Sequence, residues 1–207
     1  MPAPFLTDEA KRALRDAVHA FEGGCGAELV VAVRPRSGSY LDADLKAAIA
    51  AGPLVLAILL FSPWPFGLAY FLLDPAIVGG LAALASWRSP ALRRLLTPRA
   101  ERRRRVAAAA RAVFVDQGVH RTRARNGVLL YFSLLEREVE AVMDAGVEAL
   151  AASDVWRRAM GEVAAAFAAG AGGVAVAARV SALAAAAAPS HPYVAGQDDL
   201  LSDEVCE

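Results

Sequence analysis

The chain has 207 residues, 57% of them hydrophobic, and a mean hydropathy of +0.38, more apolar than a water-facing globule of this size needs. Lysine plus arginine and aspartate plus glutamate number 22 each, so net charge gives no reason to expect a nucleic-acid partner. Cys25 and Cys206 are the only cysteines; they make neither a disulfide framework nor a metal-ligand cluster and read as free thiols.

Residues 7 to 22 place Ala10, Leu14, Val18 and Phe21 on one face behind Thr7, with acids in the first turn, which predicts a capped amphipathic helix. Its charges, from Asp8 to Asp16, occupy the place where the apolar core of a secretory leader would have to lie. Gly23-Gly24 ends the helix, and the β-branched run Glu28 to Val33, closed by Arg34-Pro35, predicts a buried strand.

From Ala47 to Trp87 the chain carries a single charged side chain, Asp74, and a block of that length and composition predicts two membrane spans. They are placed near 45–62 and 66–87, around the turn Ser62-Pro63-Trp64-Pro65, with Trp64 and Trp87 at the headgroup ends of the second span. Residues 88 to 105 hold eight arginines against the one acid Glu101, which assigns that side to the cytoplasm. A two-span hairpin returns to the side it left, so both termini are expected there. Asp74 is an intramembrane acid and a functional candidate by position; Pro75 beside it favours the plainer reading of a solvated or protonated carboxyl at a kink.

Beyond the block, Thr97-Pro98 opens a helix running to about Gln117 with Val106, Ala110, Val113 and Phe114 on one side. Gly127 to Ser133 reads as a central strand and Glu138 to Asp144 as a half-exposed one, joined by the short link Leu134 to Arg137 into an antiparallel hairpin. Ser153 and Asp154 cap a helix with Trp156, Met160, Val163 and Phe167 on its inner face; Gly170 to Gly173 break it, and Val174 to Ala188 forms another, stopped by Pro189. The resulting order predicts an α/β layered domain whose first strand and Gly127 to Ser133 run parallel across a crossover that contains the membrane hairpin. The domain is thus split into 5–40 and 89–189 around the hairpin of 41–88, and 190–207 is an acidic tail.

The stretches Glu28-Leu29-Val30-Val31, Thr122-Arg123-Ala124-Arg125-Asn126-Gly127-Val128-Leu129-Leu130, and Met143-Asp144-Ala145-Gly146-Val147 followed by Val155-Trp156 resemble the TPM domain family, the photosystem II repair type. The acidic run Asp198 to Val205 is similar to tails seen in many members. Together the likeness spans roughly residues 5 to 35 and 106 to 205. It implies a Rossmann-like α/β/α sandwich and, in some members, a bound calcium ion or a weak acid phosphatase activity. In the matching stretches Asn126 and Asp144 are the metal-ligand candidates, and Gly127, Gly146 and Trp156 are structural. The chain departs from the family pattern in carrying its anchor inside the domain.

Chemistry read from the residues is sparse. His19, His120 and His191 are scattered, there is no G-x-S-x-G turn, and Gly170 to Ala175 matches G-x-G-x-x-A only after a helix, where a dinucleotide turn needs a strand. Arg121, Arg123 and Arg125, beside the start of a strand, form a loop able to contact a phosphate or lipid headgroup. Glu136, Glu138 and Glu140 read as a solvated strand edge. These features favour a membrane-anchored cytoplasmic module that binds a protein partner, a cation or lipid headgroups over an enzyme; the alternative is a weak metal-dependent phosphatase with Asn126 and Asp144 on the ion. The bilayer and an unidentified protein are the expected partners, and nucleic acid is not.

Overall fold

The computed structural model of the chain describes residues 5–192 and 205–206. In chain order the helices and strands are α1 (Asp8–Gly24), β1 (Glu28–Arg34), α2 (Leu41–Phe61), α3 (Leu68–Arg88), α4 (Pro90–Leu96), α5 (Arg99–Asp116), β2 (Gly127–Ser133), β3 (Glu138–Met143), α6 (Glu148–Ala152), α7 (Asp154–Ala168), α8 (Gly173–Ser181) and α9 (Leu183–Ala187). They form two compact units, Met1–Ser37 with Arg103–Glu207, and Gly38–Arg102.

The first unit is mixed α/β, mostly helical around a small sheet. β1 runs parallel to β2 in the register Glu28↔Gly127 through Arg34↔Ser133, and β2 is antiparallel to β3 from Val128↔Met143 to Ser133↔Glu138. These are the pairings that the hydrophobic pattern predicts. The strands alternate faces, so Leu29, Val31, Val33, Val128, Leu130 and Phe132 meet Leu14, Val18 and Phe21 of α1, Trp156, Val163 and Phe167 of α7 and Val176 and Val180 of α8. Val30, Ala32, Leu129 and Tyr131 on the other face meet Val106, Ala110 and Phe114 of α5. All seven residues of β2 are buried, as expected of a central strand covered on both faces.

Local chemistry sets the helix ends. Thr7 Oγ1 accepts the Ala10 amide at 3.1 Å, and Ser153 Oγ accepts that of Trp156 at 3.4 Å, the capping that both sequences call for. The helix read from 97 to 117 is α5, and Pro90 behind the Ser89 cap starts a separate short helix before it, α4. The helix read over Val174 to Ala188 is divided at Ala182, and α6 was not foreseen.

The second unit is the apolar hairpin, with helices of 21 residues each, Leu41–Phe61 and Leu68–Arg88, long and apolar enough to cross a membrane. Pro53 and Pro75 lie within continuous helices. The two helices approach to backbone contact: a Cβ on Gly52 would lie 3.1 Å from the Pro75 carbonyl oxygen, and one on Gly79 3.3 Å from that of Ala48. Small residues at the contact permit packing of this closeness. Asp44 at the start of α2 is buried and takes Arg93 Nε at 3.1 Å, Arg93 Nη2 at 2.6 Å and Ser86 Oγ at 2.8 Å. One carboxylate therefore joins α2, α3 and α4.

Two glycines separate steric necessity from simple tolerance. A Cβ on Gly127 would sit 2.4 Å from the Val119 carbonyl oxygen, whereas Gly161 in α7 has nothing within 4 Å. Gly127→Ala is expected to cost about 1–3 kcal/mol and Gly161→Ala to stabilise by about 0.5–1 kcal/mol, both read by denaturant unfolding.

Candidate functional site

At one end of the sheet, where β1 and β2 begin and β3 ends, the turn from Thr122 to Asn126 packs on the turn from Asp144 to Val147. Gly146 makes the approach possible: its amide donates to the Arg125 carbonyl at 2.7 Å, and a Cβ there would lie 2.3 Å from the Ala124 oxygen. Arg125 turns back with φ 53°, in the left-handed region. That aims its guanidinium at Asp144, whose Oδ1 accepts Arg125 Nε at 2.9 Å and Nη2 at 2.8 Å, together with the Ala145 amide at 2.7 Å. Asn126 is held by its amide on Thr122 Oγ1 at 3.1 Å and by Nδ2 on the Gly26 carbonyl at 2.8 Å. His191 closes the cluster, with Nε2 2.8 Å from the Gly146 carbonyl oxygen and its own carbonyl accepting the Gly26 amide at 2.8 Å.

The structure thus brings Arg125, Asn126 and Asp144 together and leaves Arg121 and Arg123 on the exposed side of the loop. Arg125, itself exposed, is the one of the three arginines that bonds Asp144. Asn126 Oδ1, Asp144 Oδ2 and His191 Nδ1 are buried and accept nothing from the described residues. Two orphaned oxygens, beside a guanidinium, do not fit calcium, which takes six to eight oxygen ligands. Among the described residues no group of three or more His, Cys, Asp or Glu side chains is placed to hold a metal. Gly127, Gly146 and Trp156 sit in close-packed positions, Trp156 with its ring edge-on to Phe21.

A second polar network, not foreseen, lies at the opposite end of the sheet. Glu136, 1% exposed, accepts the Ser37 amide on Oε1 at 2.9 Å and the Ser133 hydroxyl on Oε2. Ser37 Oγ lies 2.6 Å from Ser133 Oγ and 3.1 Å from the Tyr131 hydroxyl, and burial raises the Tyr131 pKa. Glu136 is therefore no part of a solvated edge: it sits in the turn between β2 and β3 and fastens Ser37, the last residue of the α/β unit before the hairpin. Arg103, where the chain re-enters that unit, pairs with Glu138 at 3.6 Å.

Along the outer edge of β3, two cavities of about 490 and 420 Å³ share Glu140. Arg103, Arg104 and Arg111 of α5 and Trp156, Arg157 and Met160 of α7 line their walls. Within the arginine run of 88 to 105, Arg93 is buried on Asp44 and Arg102 Nη1 donates to the Thr97 carbonyl at 3.1 Å. Asp74 is half-buried within α3.

Comparison with known proteins gives three results. A family model described as the TPM domain matches residues 76–186, taking in β2, β3 and both turns of the first cluster but neither α1 nor β1. No curated protein matches. The NMR structure of the BA42 protein of the psychrophilic bacterium Bizionia argentinensis is similar over 100% of this chain and 97% of that one, with 15% identity and a TM-score of 0.58, a likeness of fold.

The positive φ of Arg125 and its ion pair can be separated by substitution. Arg125→Ala leaves Asp144 without its guanidinium and is expected to cost about 1–3 kcal/mol, and Arg125→Gly about 1 kcal/mol less because glycine relieves the left-handed turn; thermal unfolding of both variants checks the order. Glu140 has its pKa raised, mainly by burial, so the native state binds its proton more tightly than the unfolded chain. Its contribution is full below the ordinary glutamate range and is lost as pH rises through the raised value. Glu140→Gln should therefore stabilise the protein at pH 7 and leave its stability at pH 4 nearly unchanged.

Proposed function

This chain belongs to the TPM domain family, and from that premise we propose that it is a membrane-anchored member whose α/β unit, Rossmann-like in its layering, is held beside the bilayer as a binding module. The observation that carries the reading is the surface of the hairpin. Leu54, Ile58, Leu60, Leu68, Leu72 and Ile77 are each more than half exposed, on helices whose mutual packing uses small residues instead. Burial of each such side chain is worth about 1.5–3 kcal/mol, so an aqueous setting for this surface is strongly disfavoured and a hydrocarbon one satisfies it.

In this reading α2 and α3 span the membrane, the turn of 62–67 emerges on the far side, and both termini lie in the cytoplasm with the arginines of 88 to 105. The Asp44, Ser86 and Arg93 clamp closes the cytoplasmic base of the hairpin. Arginines with exposed side chains in that run, such as Arg88, contact anionic headgroups at about 1 kcal/mol each. A binding role is favoured over catalysis because the first cluster spends its carboxylate and its arginine on each other.

The test is extraction and topology. The protein should stay with membranes through alkaline carbonate and enter solution only with detergent; a cysteine placed at Phe66 should label from the far side, and Cys206 from the cytoplasmic side alone. Release by carbonate would overturn the anchor, and labelling of both positions from one side would overturn the two-span path.

A further inference from the structure

The sheet has two outer edges, and the molecule treats them differently. β3 is paired on one side only among the described residues. On β1 three of the groups that point outward are met by other parts of the chain. The Leu29 amide donates to Glu22 Oε1 at 2.9 Å. Further along, the Cys206 amide donates to the Val31 carbonyl at 3.0 Å, and the Val33 amide donates to the Cys206 carbonyl at 2.9 Å, a parallel bridge centred on Ala32. Val205 packs on the core of the α1, α7 and α8 face and Cys206 on that of α5. Successive residues thus enter opposite faces of the sheet, as a true added strand requires.

We propose that the outer edge of β1 is a strand-binding site occupied in cis by the C-terminal segment Val205–Cys206, which acts as a detachable strap. The seated segment defines what the edge takes: an extended backbone that accepts from Val33 and donates to Val31, an apolar side chain towards the α1 face, and a small side chain towards α5. This is strand addition, in which main-chain bonds supply attachment and alternate side chains supply selection. Among the described residues the segment is attached by two main-chain hydrogen bonds, and the Cys206 thiol donates weakly to Gln117 Oε1 at 3.3 Å. The strap can therefore leave without opening the β1–β2 ladder, whose own bonds lie on the other side of β1. Its departure exposes the Val31 carbonyl and the Val33 amide.

Cys206 reports on the strap directly, because Cys25 is buried, donates to the Phe21 carbonyl at 3.2 Å and has its thiol pKa pushed up chiefly by burial. The experiment uses the full chain in lipid nanodiscs, labelled with a maleimide in the absence and presence of a synthetic peptide of residues 201–207 with serine in place of the cysteine. A copy of that peptide N-methylated at the position of residue 206, which lacks the amide that bonds Val31, is the control. The expected result is slow labelling of Cys206, accelerated at least threefold by the peptide and not by its N-methyl form, with the Val33 amide exchanging with deuterium at least tenfold faster than that of Ala32. Labelling that the peptide does not change, with equal exchange at Val33 and Ala32, would make the segment a permanent fourth strand and overturn the proposal. Labelling at the rate of a free thiol without peptide would overturn it as well, since the strap would then not be seated.

Discussion

The parallel pairing of β1 with β2 is the constraint on which the rest of the chain depends. Glu28 to Arg34 lies beside Gly127 to Ser133, and two parallel strands cannot be joined by a tight turn; they need a crossover that leaves one end of the sheet and returns to the other. That crossover is where the apolar hairpin is inserted. The exit is fastened by Ser37 on Glu136 in the β2–β3 link and the return by Arg103 on Glu138 at the start of β3. The α/β unit therefore has its own core on both faces of the sheet, and the insertion leaves and re-enters at neighbouring points of it.

Three buried acids carry much of the specificity. Asp44 binds Arg93 and Ser86 at the base of the hairpin, Glu136 binds Ser37 and Ser133, and Asp144 binds Arg125. A buried carboxylate is tolerable only when its oxygens are bonded, and removing the partner costs more than the pair contributes. Each acid accordingly favours one arrangement of segments distant in sequence. The orphaned Asp144 Oδ2 and Asn126 Oδ1 mark the first cluster as the place where polar groups are least satisfied.

What the sequence made legible follows from local physics. The Thr7-capped helix, the apolar runs of β1 and β2, the short link before β3 and the two long apolar helices all declare themselves through periodicity, caps and composition within a dozen or two residues. The contacts that were missed have no local signature. Asp44 lies just before the apolar block, and its partner Arg93 is hidden among arginines whose excess reads as topology. Glu136 reads as one of three alternating acids until the turn geometry separates it from Glu138 and Glu140. His191 and Val205–Cys206 belong to a stretch whose composition resembles a solvated tail, yet they bond to Gly26, Gly146 and β1. Of the candidate site, Asn126 and Asp144 stood out through the family resemblance alone, while the capture of Arg125 by Asp144 required the left-handed turn.

An α/β unit with its own core is interrupted by an apolar hairpin, and among the described residues none of the hairpin enters that core. Joining Ser37 to Arg103 through a short Gly/Ser linker, with residues 38–102 removed, tests this most directly by equilibrium unfolding and amide exchange in plain buffer. The expected product is a water-soluble monomer that unfolds in one cooperative transition, with the amides of β1 and β2 that bond each other protected alike. An insoluble product, or one in which β1 exchanges freely while β2 and β3 stay protected, would contradict it and make the hairpin part of the fold it was taken to interrupt.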